Sequence, residues 1–311
     1  MLGSLAAIAG CAADLLPGEL VVPGEVPAVA FHGSAGTNLG AAVALDGVHL
    51  LAGAPGGGDV WRLDEGATSG GPRGLGRAVW WAEGVPWAAR LSDAVYRVDG
   101  VEAEESWTIQ DMRFVAAGVL GGEVRVASSR GTWISLWDME GRLLDSVACS
   151  GVQRLAIGAE RVLVLICTDE DCQAWAWPVG TQDLEPLGLA GRGGAIVEHD
   201  GQAWWGLPAL DDADAAGEVC AEDGTCIAGI AGDHLGRYLC AGYAAGLPNF
   251  VTVPGRLRLV PLDGGPVLAL DRALPDYALS LDCNGERIAV GMPAAGLHTP
   301  GEGEVLLIER P

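Results

Sequence analysis

The chain has 311 residues, half of them hydrophobic, with 48 glycines and 17 prolines; it can bury a sizeable core and is too apolar for a disordered or collagen-like polymer. Its 41 acidic residues outweigh 18 basic ones, for a formal charge of −23, which repels nucleic-acid phosphate and anionic lipid headgroups and argues against a nucleic-acid binder. Every basic residue is arginine, so no lysine is present for a Walker-type phosphate loop, a Schiff base or a kinase-type site.

At the amino terminus, Leu5-Ala6-Ala7-Ile8-Ala9-Gly10 is a short apolar run ending in small residues before Cys11. It resembles the lipobox of bacterial lipoproteins. The resemblance implies residues 1–10 as a signal peptide, shortened because Met1–Ser4 carry no positive charge, and Cys11 as the lipidated first residue of the mature chain. No other run approaches the ~18 apolar residues of a membrane span, so membrane contact is expected through the lipid alone. Residues 11–30, with Pro17, Pro23 and Pro27, read as a tether leading into the fold.

From residue 31 the chain repeats itself. Segments of one type lie at 40–47, 76–84, 114–122, 152–160, 194–201, 236–243 and 278–285, with starts 36 to 42 residues apart. A second apolar run follows each, as in 48–55, 85–92, 123–130, 161–168, 202–209 and 286–293, and in the sixth unit the expected counterpart is Phe250–Val253. Third runs include Val60–Leu63, Val95–Val98, Trp133–Leu136, Ala174–Trp177, Glu218–Cys220, Leu257–Val260 and Val305–Ile308. Short β-rich runs divided by Gly and Asp turns are strands. A period near 40 residues with three or four strands per unit predicts an all-β, seven-bladed β-propeller over residues 31–311. The last unit ends after its third strand, so an amino-terminal segment must close the ring, and Glu19–Val22 is the expected donor.

The first unit carries a family resemblance. Leu39-Gly40, Ala42-Val43-Ala44, a glycine turn, Leu50-Leu51-Ala52-Gly53-Ala54-Pro55 and Gly57-Gly58-Asp59-Val60-Trp61 resemble the FG-GAP repeat of the integrin α-chain propeller and its bacterial relatives. Ile288–Pro293 and Gly303-Glu304-Val305 repeat the pattern, and Leu235-Gly236 echoes it. The resemblance implies a seven-bladed propeller used for binding. Calcium-binding members of that family carry a long loop rich in Asp and Asn between the first two strands, because Ca²⁺ takes six to eight oxygens. Here the turns are tight (Leu45-Asp46-Gly47, Glu83-Gly84, His199-Asp200-Gly201, Asp282-Cys283-Asn284-Gly285), so no metal is expected there. Asp211, Asp212 and Asp214 form the one run with carboxylates enough for Ca²⁺, but without the glycine and spacing of a calcium loop they read as solvated.

The cysteines point to an oxidising compartment. Cys167 and Cys172, and Cys220 and Cys226, each bracket a short acidic loop without zinc-ligand spacing, and read as disulfides. Cys240 and Cys283 occupy near-equivalent positions in units six and seven, which permits a bridge between them. Cys149 is left as a buried thiol. No HExxH, GxSxG or phosphate-loop pattern occurs. The five histidines fall at unrelated offsets, and the trio Glu198, His199 and Asp200 lies where successive side chains diverge. The eleven tryptophans, with pairs at Trp80-Trp81 and Trp204-Trp205, are expected to fill the gaps between blades, with Trp87 and Trp107 more exposed.

The expectation is therefore a non-enzymatic, lipid-anchored propeller of the bacterial envelope, at the outer membrane or cell surface. It needs no cofactor and binds a protein or glycan partner in adhesion or surface interaction. The alternatives are a structural docking subunit of an envelope complex, and a hydrolase or lyase working at the central channel. Acidic turns in every unit predict a negative face suited to a cationic partner.

Overall fold

The computed structural model describes residues 20–22, 28–91, 93–109, 111–168, 171–210, 215–246, 256–265, 267–271, 280–293 and 301–309. Among the described residues two strands precede the repeats, β1 (Leu20–Val22) and β2 (Ala28–His32). Blade one is β3 (Ala42–Asp46), β4 (His49–Ala54), β5 (Asp59–Arg62) and β6 (Ala67–Gly70); blade two is β7 (Ala78–Ala82), β8 (Val85–Arg90), β9 (Ala94–Arg97) and β10 (Glu104–Thr108). Blade three is β11 (Phe114–Leu120), β12 (Glu123–Arg130), β13 (Trp133–Trp137) and β14 (Leu143–Ala148); blade four is β15 (Val152–Ile157), β16 (Arg161–Cys167), β17 (Cys172–Pro178) and β18 (Glu185–Ala190). Blade five is β19 (Ile196–His199), β20 (Gln202–Leu207), β21 (Ala216–Ala221) and β22 (Cys226–Ala231). Blade six is β23 (Tyr238–Cys240), β24 (Tyr243–Gly246), β25 (Arg256–Pro261) and β26 (Leu268–Asp271), and blade seven is β27 (Ser280–Cys283), β28 (Arg287–Met292) and β29 (Glu304–Glu309) completed by β2.

Each blade is an antiparallel meander, and no helix occurs among the described residues. The first strands of neighbouring blades touch all the way round, from β3 through β23 and β27 back to β3, so they line the axis of the ring. The hairpins between first and second strands, and the turns between third and fourth, lie on one face, the turn face. Loops between second and third strands, and the crossings from one blade to the next, lie on the other, the loop face.

An amino-terminal strand does close the ring, but a different one from that expected. Ala28–His32 pairs antiparallel with β29 from Ala28↔Ile308 to His32↔Glu304, whereas Leu20–Val22 runs parallel to β26 at the outer edge of blade six. The later segment wins because Ala30 and Phe31 pack into the apolar layers on either side of blade seven. The second strand of blade six is likewise not Phe250–Val253, which lie outside the described residues. It is Tyr243–Gly246, turned back directly after Cys240.

The molecule has seven apolar layers, one between each pair of neighbouring blades, instead of a single core. This explains the unbroken apolar second strands. Leu50 and Ala52 face blade seven while Leu51 faces blade two, and Val162 and Val164 face blade three while Leu163 and Leu165 face blade five. A strand covered on both faces has no polar side to alternate with.

Trp80 enters the layer between blades two and three and Trp81 the one between blades one and two; Trp204 and Trp205 diverge in the same way. Trp107, expected to be exposed, is 9% exposed and packs on Trp137 with ring centroids 5.9 Å apart; Trp133 is the one left half in solvent. The indole N–H groups of Trp61, Trp80, Trp87 and Trp107 are buried with no acceptor in the protein. A lost hydrogen bond costs about 1–3 kcal/mol, while burying some 150–250 Å² of ring contributes about 4–6 kcal/mol at 25 cal/mol per Å². Filling the wedge between blades therefore outweighs satisfying the indole.

Three disulfides are present. Cys167–Cys172 and Cys220–Cys226 join directly opposed residues of their hairpins. Cys240–Cys283 ties the inner strand of blade six to that of blade seven. Cys149 is a buried free thiol.

Candidate functional site

Arginine pairing differs between the two faces, although Arg90 and Arg130, at the loop-face ends of their second strands, are paired with Asp93 and Asp111. Arg62, Arg90, Arg97, Arg125, Arg130, Arg142, Arg161 and Arg287 each have a carboxylate in ion-pairing distance. Arg73, Arg77, Arg113, Arg154 and Arg237 have none among the described residues. All five belong to the loop face, in the crossings between blades or at the start of an inner strand. In a chain with 41 acidic residues, cations left without counter-charge on one face are the feature that a folding argument does not require.

Local sequence builds this mouth. Leu75-Gly76-Arg77 and Leu235-Gly236-Arg237 share one construction: the leucine is fully buried, and the glycine takes φ of +86° or +92°. That glycine lies against a glycine of the preceding blade's second strand. A Cβ on Gly53 would stand 1.9 Å from the Gly76 carbonyl oxygen, and one on Gly206 1.9 Å from that of Gly236. The close approach turns the chain onto the inner strand and sets the arginine at the rim. Asp233 secures the second copy, accepting the amides of Ile230 (2.9 Å) and Leu235 (3.0 Å), and burial pushes its carboxyl upward. The Arg237 guanidinium then sits over the Tyr238 ring, 5.7 Å from its centroid.

Arg154 reaches the mouth differently. The pairing of β15 with β16 slips between Val152 and Arg154, so that two residues of the inner strand span one of its partner. Such a bulge re-aims the side chain that follows it, and no other inner strand pair among the described residues shows one. Arg154 donates through Nη1 to the Gln153 carbonyl at 2.9 Å. Arg154 is exposed at its surface; desolvation, and then the Arg237 charge, lower its guanidinium from the ordinary arginine value, while Tyr238 acts the other way.

The turn face pairs every arginine among its described residues with a carboxylate partner. Its two-residue hairpins include Glu83-Gly84 and Asp200-Gly201, with left-handed backbone at all four positions. Of the polar trio, Glu198 is spent on joining blades four and five, accepting the Ala159 amide at 2.7 Å and facing Arg161 Nε at 3.6 Å. His199 lies 3.6 Å from Asp200. Asp282 belongs to inner strand β27, not to a turn, and accepts the Leu45 amide of blade one at 2.7 Å; desolvation pushes its carboxyl up to about 6. His49, Asp64 and Glu65 could together offer three metal ligands, but Asp64 also accepts the Leu50 amide and Glu65 pairs with Arg62. A groove of about 920 Å³ between blades two and three is lined by Arg97, Arg125 and Arg142, each already neutralised by Asp99, Glu123 or Asp138.

Cys11 and the carboxylates Asp211, Asp212 and Asp214 lie outside the described residues. The arginine-lined mouth escaped the sequence reading, although Gly76-Arg77 and Gly236-Arg237 stand at the same offset in their repeats.

No protein-family model matches the sequence, and no curated protein matches it in sequence. Among solved structures the chain is similar to the WD40 domain of Toxoplasma gondii coronin, at 11% identity and a TM-score of 0.56 over 94% of this chain and 88% of that one. It is similar to the Pan2 WD40 domain of Neurospora crassa at 12% identity and 0.55, over 90% of both chains, and to BamB from Moraxella catarrhalis at 11% and 0.49, over 87% of this chain and 85% of that one. Identities this low establish the fold, a seven-bladed β-propeller, and nothing narrower.

Proposed function

We propose that the chain is a non-enzymatic docking propeller that binds a protein partner on its loop face. The observation that carries this reading is how the arginines are paired: among the described residues five arginines on the loop face have no carboxylate in ion-pairing distance, while those on the turn face are paired. Desolvating a cation already matched to a neighbour adds little to binding, whereas an unmatched one gains a new charge-assisted bond. The partner therefore offers an acidic surface, the reverse of the cationic partner that the acidic turns had suggested. Three disulfides support a non-cytoplasmic setting, and we read the amino terminus as a lipid anchor at Cys11 and the repeats as relatives of the FG-GAP type.

The test is affinity capture from the native envelope, with calcium and with chelator in parallel, using wild type, a loop-face variant (R77E/R113E) and a turn-face variant (D200K/E286K). A discrete protein retained by wild type and the turn-face variant, lost with the loop-face variant and indifferent to chelator, is the expected result. Capture that survives R77E/R113E but fails with D200K/E286K would reverse the assignment of faces.

A further inference from the structure

Ten of the eleven tryptophans pack into the apolar layers between blades. Trp133 belongs to no layer and stays 50% exposed. Ile134 and Leu136 face blade four, so alternation along β13 turns Trp133 to the blade-two side, where Trp137 lies. Directly opposite it on β12 is Arg130, and the side chains of such a cross-strand pair share one face of the sheet. Arg130 in turn lines a depression of about 480 Å³ on the loop face with Asp111, Met112 and Arg113, which lead from blade two into blade three. The Arg113 amide donates to the Ser129 carbonyl at 3.0 Å, which holds this arginine against the strand that carries Arg130, and the buried Met112 side chain roots the segment in the layer below.

Two guanidinium groups thus share the depression with one carboxylate. Asp111 faces Arg130 at 3.7 Å with both side chains largely in solvent, a pairing that contributes little to the fold, and Arg113 has no carboxylate in ion-pairing distance among the described residues. An exposed indole beside arginines is the composition of the energetic centre of a protein interface, and here it fills no gap between blades.

We propose that Arg113, Arg130 and Trp133 form the anchor of the loop face, taking an acidic segment of a protein partner. Its carboxylates bond the two guanidinium groups, displacing Asp111 from Arg130, and a neighbouring apolar or aromatic side chain covers the Trp133 ring. The anchor rests on the reading of this face as the docking face and narrows it to blade three. An indole platform by itself suits a sugar ring as well, but guanidinium charge in excess of carboxylate favours a carboxylate-bearing ligand over a neutral glycan.

Fluorescence anisotropy of a labelled Asp-Glu-Asp-Phe-Asp-Glu-Asp peptide, titrated with the whole chain at constant ionic strength, tests the anchor in wild type, R113Q, R130Q, W133A, D111N and the turn-face control R125Q. Saturable binding is expected, weakened about tenfold or more by R113Q, R130Q or W133A and unchanged by R125Q. D111N should strengthen it, because the carboxylate that competes for Arg130 is gone. In fluorine NMR of the wild-type chain labelled with fluorotryptophan, the resonance that W133F removes should be the one that shifts with the peptide, a readout that stands even where another variant fails to fold. No saturation, equal affinity in wild type, R113Q and W133A, or a Trp133 resonance that does not move would overturn the anchor. Binding of neutral chitotriose that D111N weakens would overturn it in favour of a glycan site. Envelope capture lost with R77E/R113E but kept with R130Q and W133A removes this anchor and leaves the docking reading; peptide binding at Trp133 with no partner captured does the opposite.

Discussion

Single residues carry the contacts between blades, and glycine shows it most directly. Gly53 and Gly206 touch the backbone of the next blade, leaving no room for a methyl group. Gly206→Ala is expected to cost about 3 kcal/mol in urea unfolding, whereas Gly131→Ala, at φ +56° with open space around it, should cost only about 1–2 kcal/mol of backbone strain. Asp282 makes a pH-dependent claim. Its folded pKa of about 6 lies above its ordinary value of 3.8, so the folded chain holds the proton more tightly. That contribution is complete below pH 4 and is lost as pH rises through 6. Asp282→Asn should therefore raise stability at pH 7–8, by about 3 kcal/mol at most, with the gain vanishing near pH 4 in denaturant titrations. Burial pushes the Cys149 thiol up to about 11, which keeps it un-ionised at neutral pH. It should resist a thiol reagent in the native state and react fully once the chain is unfolded.

Elements owe their identity to where they stand in a blade. Second strands, sandwiched between two apolar layers, were visible in the sequence as continuous hydrophobic runs. Inner strands such as Val152–Ile157 give a weaker signal because their residues are only partly buried, with Arg154 exposed. The sixth blade was misread at its second strand because Tyr243–Gly246 is short and abuts the first, while Phe250–Val253 has the stronger β composition. Disulfides differ by the same logic of position. Cys167–Cys172 closes 5 residues of sequence and Cys240–Cys283 closes 43, so chain-entropy arguments assign about 2 and about 4 kcal/mol respectively. The double variant C240S/C283S should accordingly lose more stability in denaturant unfolding than C167S/C172S. An equal loss would mean that the bridge between blades six and seven adds nothing to their shared apolar layer.

At the scale of the molecule, a ring of seven blades stands or falls on its closure. Deleting residues 1–22 removes β1, a parallel addition at an outer edge, and should leave a single cooperative melt. Deleting residues 1–32 also removes β2, which pairs with β29 along its length, and should broaden or abolish that melt in circular dichroism. Length, period and apolar patterning were enough to establish seven blades, three strands within most of them, and the need for an amino-terminal strand, because each is a consequence of local β-propensity repeated at a fixed interval. Cysteine spacing likewise indicated the pairs that could bridge. Which amino-terminal segment closes the ring was decided by packing, since Phe31 finds apolar layers that only the assembled blade seven presents. The gathering of arginines on the loop face was settled in the same way: Arg77, Arg113, Arg154 and Arg237 belong to four different blades, and only the ring of inner strands brings the starts of those strands to one face.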